Sequence, residues 1–135
     1  GGPLIILDFG TATTFDVINA DGDYVGGVIA PGINLSVEAL HRAAAMLPKV
    51  SVTRPQTVIG KHTTPAMQSG VYWGYVGLID GLLNRLKAEP GMEEAVVIGT
   101  GGLASLFAPH IDAIDKVDKA LTMTGLRIIF NRNKG

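Results

Sequence analysis

Residues 4–7, Leu-Ile-Ile-Leu, form an unbroken apolar run of the kind found in a strand covered on both faces. Residues 15–18 and 24–30 are two more runs rich in branched and aromatic side chains. Between the last two, Asn19-Ala20-Asp21-Gly22-Asp23 has hairpin chemistry, because Asp-Gly tolerates positive φ. The pattern predicts three antiparallel strands at the start of the chain. Pro31-Gly32 ends the third, and beyond it Leu35, Ala39, Leu40, Ala43 and Leu47 recur at helical spacing up to Pro48. Residues 50–59 read as an exposed connection. Thr64 followed by Pro65 fits an N-cap and a first-turn proline, opening a long helix that closes near Lys87, before Pro90-Gly91. Residues 95–98 predict a short buried strand, 99–102 a glycine turn, 103–108 a short helix and 111–117 a further strand or connection. Residues 121–130 predict a last helix ahead of the polar tail 131–135. This order predicts the α/β class with a mixed sheet.

Gly70, Gly74, Gly77 and Gly81 fall on one face of the long helix. Each costs about 1 kcal/mol relative to Ala, so a neighbouring helix, sheet or subunit is expected to approach closely there. The 135 residues suffice for one domain. Only 17% of them are charged against 47% hydrophobic, so a face covered by a second domain or subunit is expected. A net charge of -1 leaves no electrostatic footprint for nucleic acid or anionic lipid. The absence of cysteine rules out disulfides, thiolate nucleophiles and cysteine-ligated zinc, and fits a reducing cytoplasm. His41, His62 and His110 have no ligand spacing to one another. The longest apolar or glycine run, residues 70–79, is too short to span a bilayer, so a soluble, cytoplasmic protein without membrane contact is expected. Gly1-Gly2-Pro3 leads straight into the first strand with no initiator Met, as in a piece of a longer protein.

Three segments carry candidate chemistry. In Asp8-Phe9-Gly10-Thr11-Ala12-Thr13-Thr14-Phe15-Asp16, an apolar strand delivers an acid, a glycine and three hydroxyls into a turn, where amides and threonine Oγ atoms can converge on a phosphate. It is not a Walker A loop, since no Gly-Lys-Ser/Thr follows. Asp8 beside a phosphate implies an intervening cation, because two anions repel. The competing reading is that the threonines merely satisfy turn amides. The second segment, Gly99-Thr100-Gly101-Gly102-Leu103-Ala104, satisfies G-x-G-x-x-A, but a dinucleotide fingerprint belongs in the first β-α turn of a sheet. A nucleoside lying against bare backbone at Gly99, Gly101 and Gly102 is the better functional reading, and close helix-strand packing is the bland one. In the third, Gly60-Lys61-His62-Thr63-Thr64-Pro65, free amides at a helix start suit a small anion, with Thr63 adding a hydroxyl; such a segment alone is more often just a cap. Tyr72, Trp73 and Tyr75 read as packing aromatics, with no basic groove beside them.

These blocks, together with Gly26-Gly27-Val28-Ile29-Ala30-Pro31-Gly32, Ser69-Gly70 through Gly81, and Leu121-Thr122-Met123-Thr124-Gly125-Leu126, closely resemble in order the C-terminal half of type III pantothenate kinases. That family lies within the acetate kinase, sugar kinase, Hsp70 and actin superfamily, in which two ribonuclease-H-like domains close over ATP. The resemblance implies that residues 1–135 form one ribonuclease-H-like domain of a two-domain kinase. Its implied activity is transfer of the ATP γ-phosphate to pantothenate, the first step of coenzyme A biosynthesis. By position, Asp8 matches the acid that helps hold a monovalent cation, usually potassium; Thr11 matches an ATP-phosphate contact, with Gly10 and Thr13 in the same loop. Gly99, Gly101 and Gly102 match the adenosine-side loop, and Thr63 matches a pantothenate-binding threonine. Magnesium is implied with the nucleotide, and a homodimer through this half. His62 departs from the family, where Asn is common.

The family's first phosphate loop, D-x-G-N-T, and the G-x-D-R segment bearing the catalytic base do not occur in the sequence. The resemblance therefore implies a missing N-terminal domain and negligible activity for this half alone, since phosphoryl transfer depends on positioning and charge neutralisation by both walls of the cleft. Two other readings stand beside it: a non-catalytic accessory transcription factor of the same family, and a dinucleotide-binding fragment, which an antiparallel opening would exclude.

Overall fold

The three apolar runs pair as an antiparallel meander of β1 (Leu4–Phe9), β2 (Ala12–Ile18) and β3 (Tyr24–Pro31), in a computed structural model that describes residues 2–44 and 46–118. The turn before β3 forms as its residues dictate: Asn19 Oδ1 accepts the amides of Asp21 at 3.0 Å and Asp23 at 2.9 Å, and Gly22 takes φ +86. On its other side β1 pairs in parallel with β4 (Val96–Thr100), which pairs in parallel with β5 (Lys116–Val117). The sheet order is β3-β2-β1-β4-β5, a five-stranded mixed sheet.

Strand ends differ from the apolar runs in an instructive way. β1 continues through Asp8 and Phe9 because these residues pair with Thr14 and Thr13 of β2, so the ladder outruns the hydrophobic pattern. Thr13 and Thr14 consequently lie in a strand, leaving Gly10 and Thr11 as the bend. β4 likewise runs to Thr100, so the glycine turn reduces to Gly101-Gly102. Alternation along β1 sends Ile5, Leu7 and Phe9 to one face and Leu4, Ile6 and Asp8 to the other.

The first face is covered by α1 (Ile33–Ala43) and α2 (Thr63–Lys87). Val71, Tyr72, Tyr75, Val76, Ile79 and Leu83 of α2, with Ile33 and Val37 of α1, pack on Ile5, Leu7, Phe9, Phe15, Val17 and Val97. Each large apolar side chain buried in this way contributes about 1.5–3 kcal/mol. α3 (Ala104–Phe107) and a 3₁₀ turn (Ala108–His110) lead to β5, and Phe107 is enclosed by the rings of Phe9, Tyr72 and Tyr75 at 4.8–5.9 Å between centroids. Trp73 is half-buried beneath the Arg54 guanidinium, 5.8 Å from its ring centre. The three aromatics of α2 thus pack, as the sequence suggests.

Both long helices depart from their expected bounds. α1 stops at Ala43 because Ala44 turns extended and the chain folds back: the Leu47 amide donates to Ala44 O at 2.9 Å, and Leu47 O lies 2.8 Å from His41 Nδ1. α2 begins at Thr63, so Thr64 does not cap it; His62 holds the cap position without a side-chain bond. Pro65 still fits, since the first-turn amides are unpaired and the ladder opens with Ala66 N donating to His62 O at 2.9 Å. The close neighbour expected at the glycine face is absent among the described residues: a Cβ at Gly70, Gly74 or Gly77 meets nothing within 4 Å. The second face of the sheet is also thinly covered near its β3 edge, where Ile29 is 81% exposed. No helix of the described residues is long and apolar enough to cross a membrane. The last helix and tail expected over residues 121–135 lie outside the described residues.

Candidate functional site

The candidate phosphate loop and the glycine turn, distant in sequence, meet at one end of the sheet. Asp8 lies between Thr14 of β2 and Thr100 of β4 in register, so the three side chains share the face turned away from the helices. The next residue after Thr100, Gly101, has φ +98; a Cβ there would lie 2.7 Å from Phe9 O and 2.9 Å from Asp8 Oδ1. Only glycine is admitted, for conformation and for space. A Cβ at Gly10 would stand 3.5 Å from the same carboxylate oxygen. Backbone thus walls the Asp8 carboxylate on two sides.

That carboxylate is half-buried, and among the described residues neither a hydrogen bond nor an ion pair reaches it. Burial, followed by the negative charge of Asp16 on β2, raises its pKa above the usual carboxylate value. Asp16 itself accepts a hydrogen bond from the Tyr24 hydroxyl at 3.1 Å. Thr100 is fully buried, and its hydroxyl has no partner among the described residues. An uncompensated carboxylate beside an orphaned hydroxyl is a donor set suited to a hard cation, which takes carboxylate and neutral oxygens together.

The Gly10-Thr11 bend is exposed, with Thr11 open to solvent. It rests on the start of α1: a Cβ at Gly32 would collide with Thr11 O, so glycine is required there as well. The first turn of α1 has neither an acidic residue nor a side-chain cap, leaving its amides and positive end beside the bend. Thr13 is placed differently. It is fully buried, its hydroxyl donates to Pro31 O at 3.0 Å and lies 2.6 Å from the Tyr75 hydroxyl. It holds β2 to β3 and α2 and does not face the bend.

Gly99 sits in β4 against Phe9 and Ile114, whereas Gly101 and Gly102 form the turn. Thr63 is exposed at the start of α2, twelve residues before Tyr75, hence roughly 18 Å along the helix axis. It neighbours a groove of about 420 Å³ lined by Arg54, Lys61, His62, Pro65 and Gln68, and the described residues do not bring it to Asp8. A cavity of about 560 Å³ lies at the opposite end of the sheet between Val17, Val25, Leu86 and Met92, and holds none of the candidate residues.

The sequence model of a family described as type III pantothenate kinase matches residues 1–85, well over half of the chain. The chain belongs to the type III pantothenate kinase family. Relatives of that name from Acidiphilium cryptum, Paramagnetospirillum magneticum and Rhodospirillum rubrum are 61–62% identical over 98% of this chain and 50–51% of their own length. The chain therefore spans about half the length of the curated family members it matches. A crystal structure from Campylobacter jejuni, of a conserved protein described as a Baf family transcriptional activator, shares the fold: TM-score 0.56 at 22% identity, over 99% of this chain and 60% of that one.

Within this family member, pattern reasoning placed Asp16 in the segment of Asp8 without a role, and missed Thr100 and Tyr75 as neighbours of the candidate site. The place of Thr100 beside Asp8 is recognisable only through strand register, which no local motif encodes. The signal for Tyr75 was its buried position in α2, read as packing alone. The antiparallel opening counts against a dinucleotide-binding fragment, although the parallel β4-α3-β5 crossover that such a fragment predicts around Gly99 is present.

Proposed function

We propose that the chain is the C-terminal, ribonuclease-H-like half of an ATP-dependent pantothenate kinase, one wall of a cleft in which pantothenate receives the γ-phosphate on the way to coenzyme A. The strand order β3-β2-β1-β4-β5, with an antiparallel meander joined to parallel strands, supports that fold. The observation that carries the site is the half-buried Asp8 carboxylate, unpaired among the described residues, between Gly10 and Gly101 at the foot of an exposed hydroxyl-bearing bend.

In this reading Gly10 and Thr11 offer amide and hydroxyl donors to the phosphates, with the start of α1 adding its positive end. Thr13 fixes the bend from behind through Pro31 and Tyr75. Gly101 and Gly102, with Gly99 below them, leave bare backbone against which adenosine lies. Asp8 holds a monovalent cation, potassium, and when bound this cation supplies the charge that lets a carboxylate and a phosphate sit together. Magnesium accompanies the nucleotide. Thr63 binds pantothenate from the start of α2, and the catalytic base and the first phosphate loop are not among these residues. The open glycine face and the low charged fraction support a homodimer through α2, and a sequence without cysteine fits the cytoplasm. A net charge of -1 gives no support to direct DNA contact.

The test is pantothenate phosphorylation by the intact protein, with and without potassium. Asp8→Ala should cut potassium-dependent turnover by about a hundredfold while leaving the far-ultraviolet circular dichroism unchanged. Wild-type turnover in Asp8→Ala, indifferent to potassium, would remove Asp8 from the site.

A further inference from the structure

A buried hydroxyl without a partner is a cost that the fold has no need to bear. Valine would fill the position of Thr100 with the same shape and has an equal liking for strands, yet the chain keeps a hydroxyl sealed from water with no partner among the described residues. The register sets it directly across from Asp8, on the same face of the sheet, and among the described residues the Asp8 carboxylate is unpaired too. Gly101 immediately follows, bent at φ +98 so that its backbone lies against Asp8 Oδ1. Two neighbouring oxygen groups, each lacking a counterpart, are satisfied at once by a single cation between them, which accepts a carboxylate and a neutral hydroxyl without moving a proton.

We propose that Thr100 is a second oxygen ligand of the monovalent cation at Asp8, so that the cation ties β1 to β4 where the glycine turn begins. This rests on the cation reading of Asp8 given above. It adds that the site spans two strands and that the hydroxyl, not the methyl, of Thr100 does the binding.

The experiment is a set of thermal melts of the intact protein in potassium chloride and in N-methylglucamine chloride at equal ionic strength. Wild type should melt higher in potassium, because a ligand bound only by the native state stabilises it. Thr100→Val should melt at or above wild type in N-methylglucamine, since the orphaned hydroxyl is gone, and should weaken apparent potassium affinity by at least about tenfold. Thr100→Ser should keep the potassium shift. A full potassium shift in Thr100→Val overturns the role of Thr100 and leaves the cation at Asp8 standing. No potassium shift in wild type, matching Asp8→Asn, overturns both. Thr100→Val melting below wild type without potassium, or Thr100→Ser losing the shift, would show that the side chain serves packing, and also overturns the proposal. Crystals soaked in thallium should show one heavy peak touching both Asp8 and Thr100; a peak on Asp8 alone counts against it.

Discussion

The Tyr75 hydroxyl lies 2.6 Å from Thr13 Oγ1, joining the long helix to the strand that follows the candidate phosphate bend. Thr13 has one proton and donates it to Pro31 O at 3.0 Å, so Tyr75 must be the donor in the first bond. A directed chain thus runs from α2 through β2 to the end of β3, beside Gly32 and the bend.

Breaking that chain at its two ends should have unequal effects. Tyr75→Phe loses one buried hydrogen bond and should cost about 0.5–1.5 kcal/mol. Thr13→Val leaves both the Tyr75 hydroxyl and Pro31 O without their partner and should cost more, about 1–3 kcal/mol. Urea unfolding with unchanged m-values measures both. Equal, negligible losses would mean that the chain is not formed in solution.

The two turn glycines provide a matched pair. Gly101→Ala puts a Cβ against Phe9 O and the Asp8 carboxylate at a backbone conformation that alanine resists, and should destabilise by more than about 1 kcal/mol. Gly102→Ala meets nothing within 4 Å and should lie within about 0.5 kcal/mol of wild type. Melting temperatures of the two variants decide it; a tolerated Gly101→Ala would contradict the packed turn.

The glycine face of α2 separates a lone chain from a dimer. With nothing across the face, Gly70→Ala, Gly74→Ala and Gly77→Ala should each stabilise by about 1 kcal/mol through helix propensity. With a second subunit packed there, Gly74→Leu should convert dimer to monomer in sedimentation analysis while helix content is kept. A stabilised alanine series with unaltered mass would rule out a contact through this face.

Asp80 on α2 gives a pH signature. Burial, then the charge of Asp112, raises its pKa above the usual carboxylate value. A raised carboxylate pKa means that the folded state holds the proton more tightly. Its favourable contribution is therefore complete below the unfolded pKa and lost as pH climbs through the folded one. Asp80→Asn should accordingly raise the melting temperature at pH 7 and lose that advantage as pH falls towards 3; an advantage equal at both pH values would refute the assignment.

Much of the architecture was readable because apolar runs and turn residues act locally: the Asp21-Gly22 turn, the Pro31-Gly32 break and the proline-led long helix all formed where their chemistry demanded. The bend was read one step too generously. Thr13 and Thr14 looked like loop hydroxyls, yet Asp8 and Phe9 pair back upon them and draw them into β2. Thr100 looked like a spacer within a glycine turn, and acquires meaning only from a parallel partner far away in sequence. What stayed hidden was therefore the pairing of distant strands, which hydrophobic periodicity does not record.

The parallel seam between Asp8 and Thr100 also dictates an order of events during folding. The opening hairpins can close from nearby residues, but the seam must wait for a strand made near the other end of the described chain, after the long helix has been laid down. A nascent chain should thus carry a shaped but unjoined hairpin from the time β2 and β3 are made until β4 follows, and the Asp8–Thr100 corner is assembled only after the long helix exists.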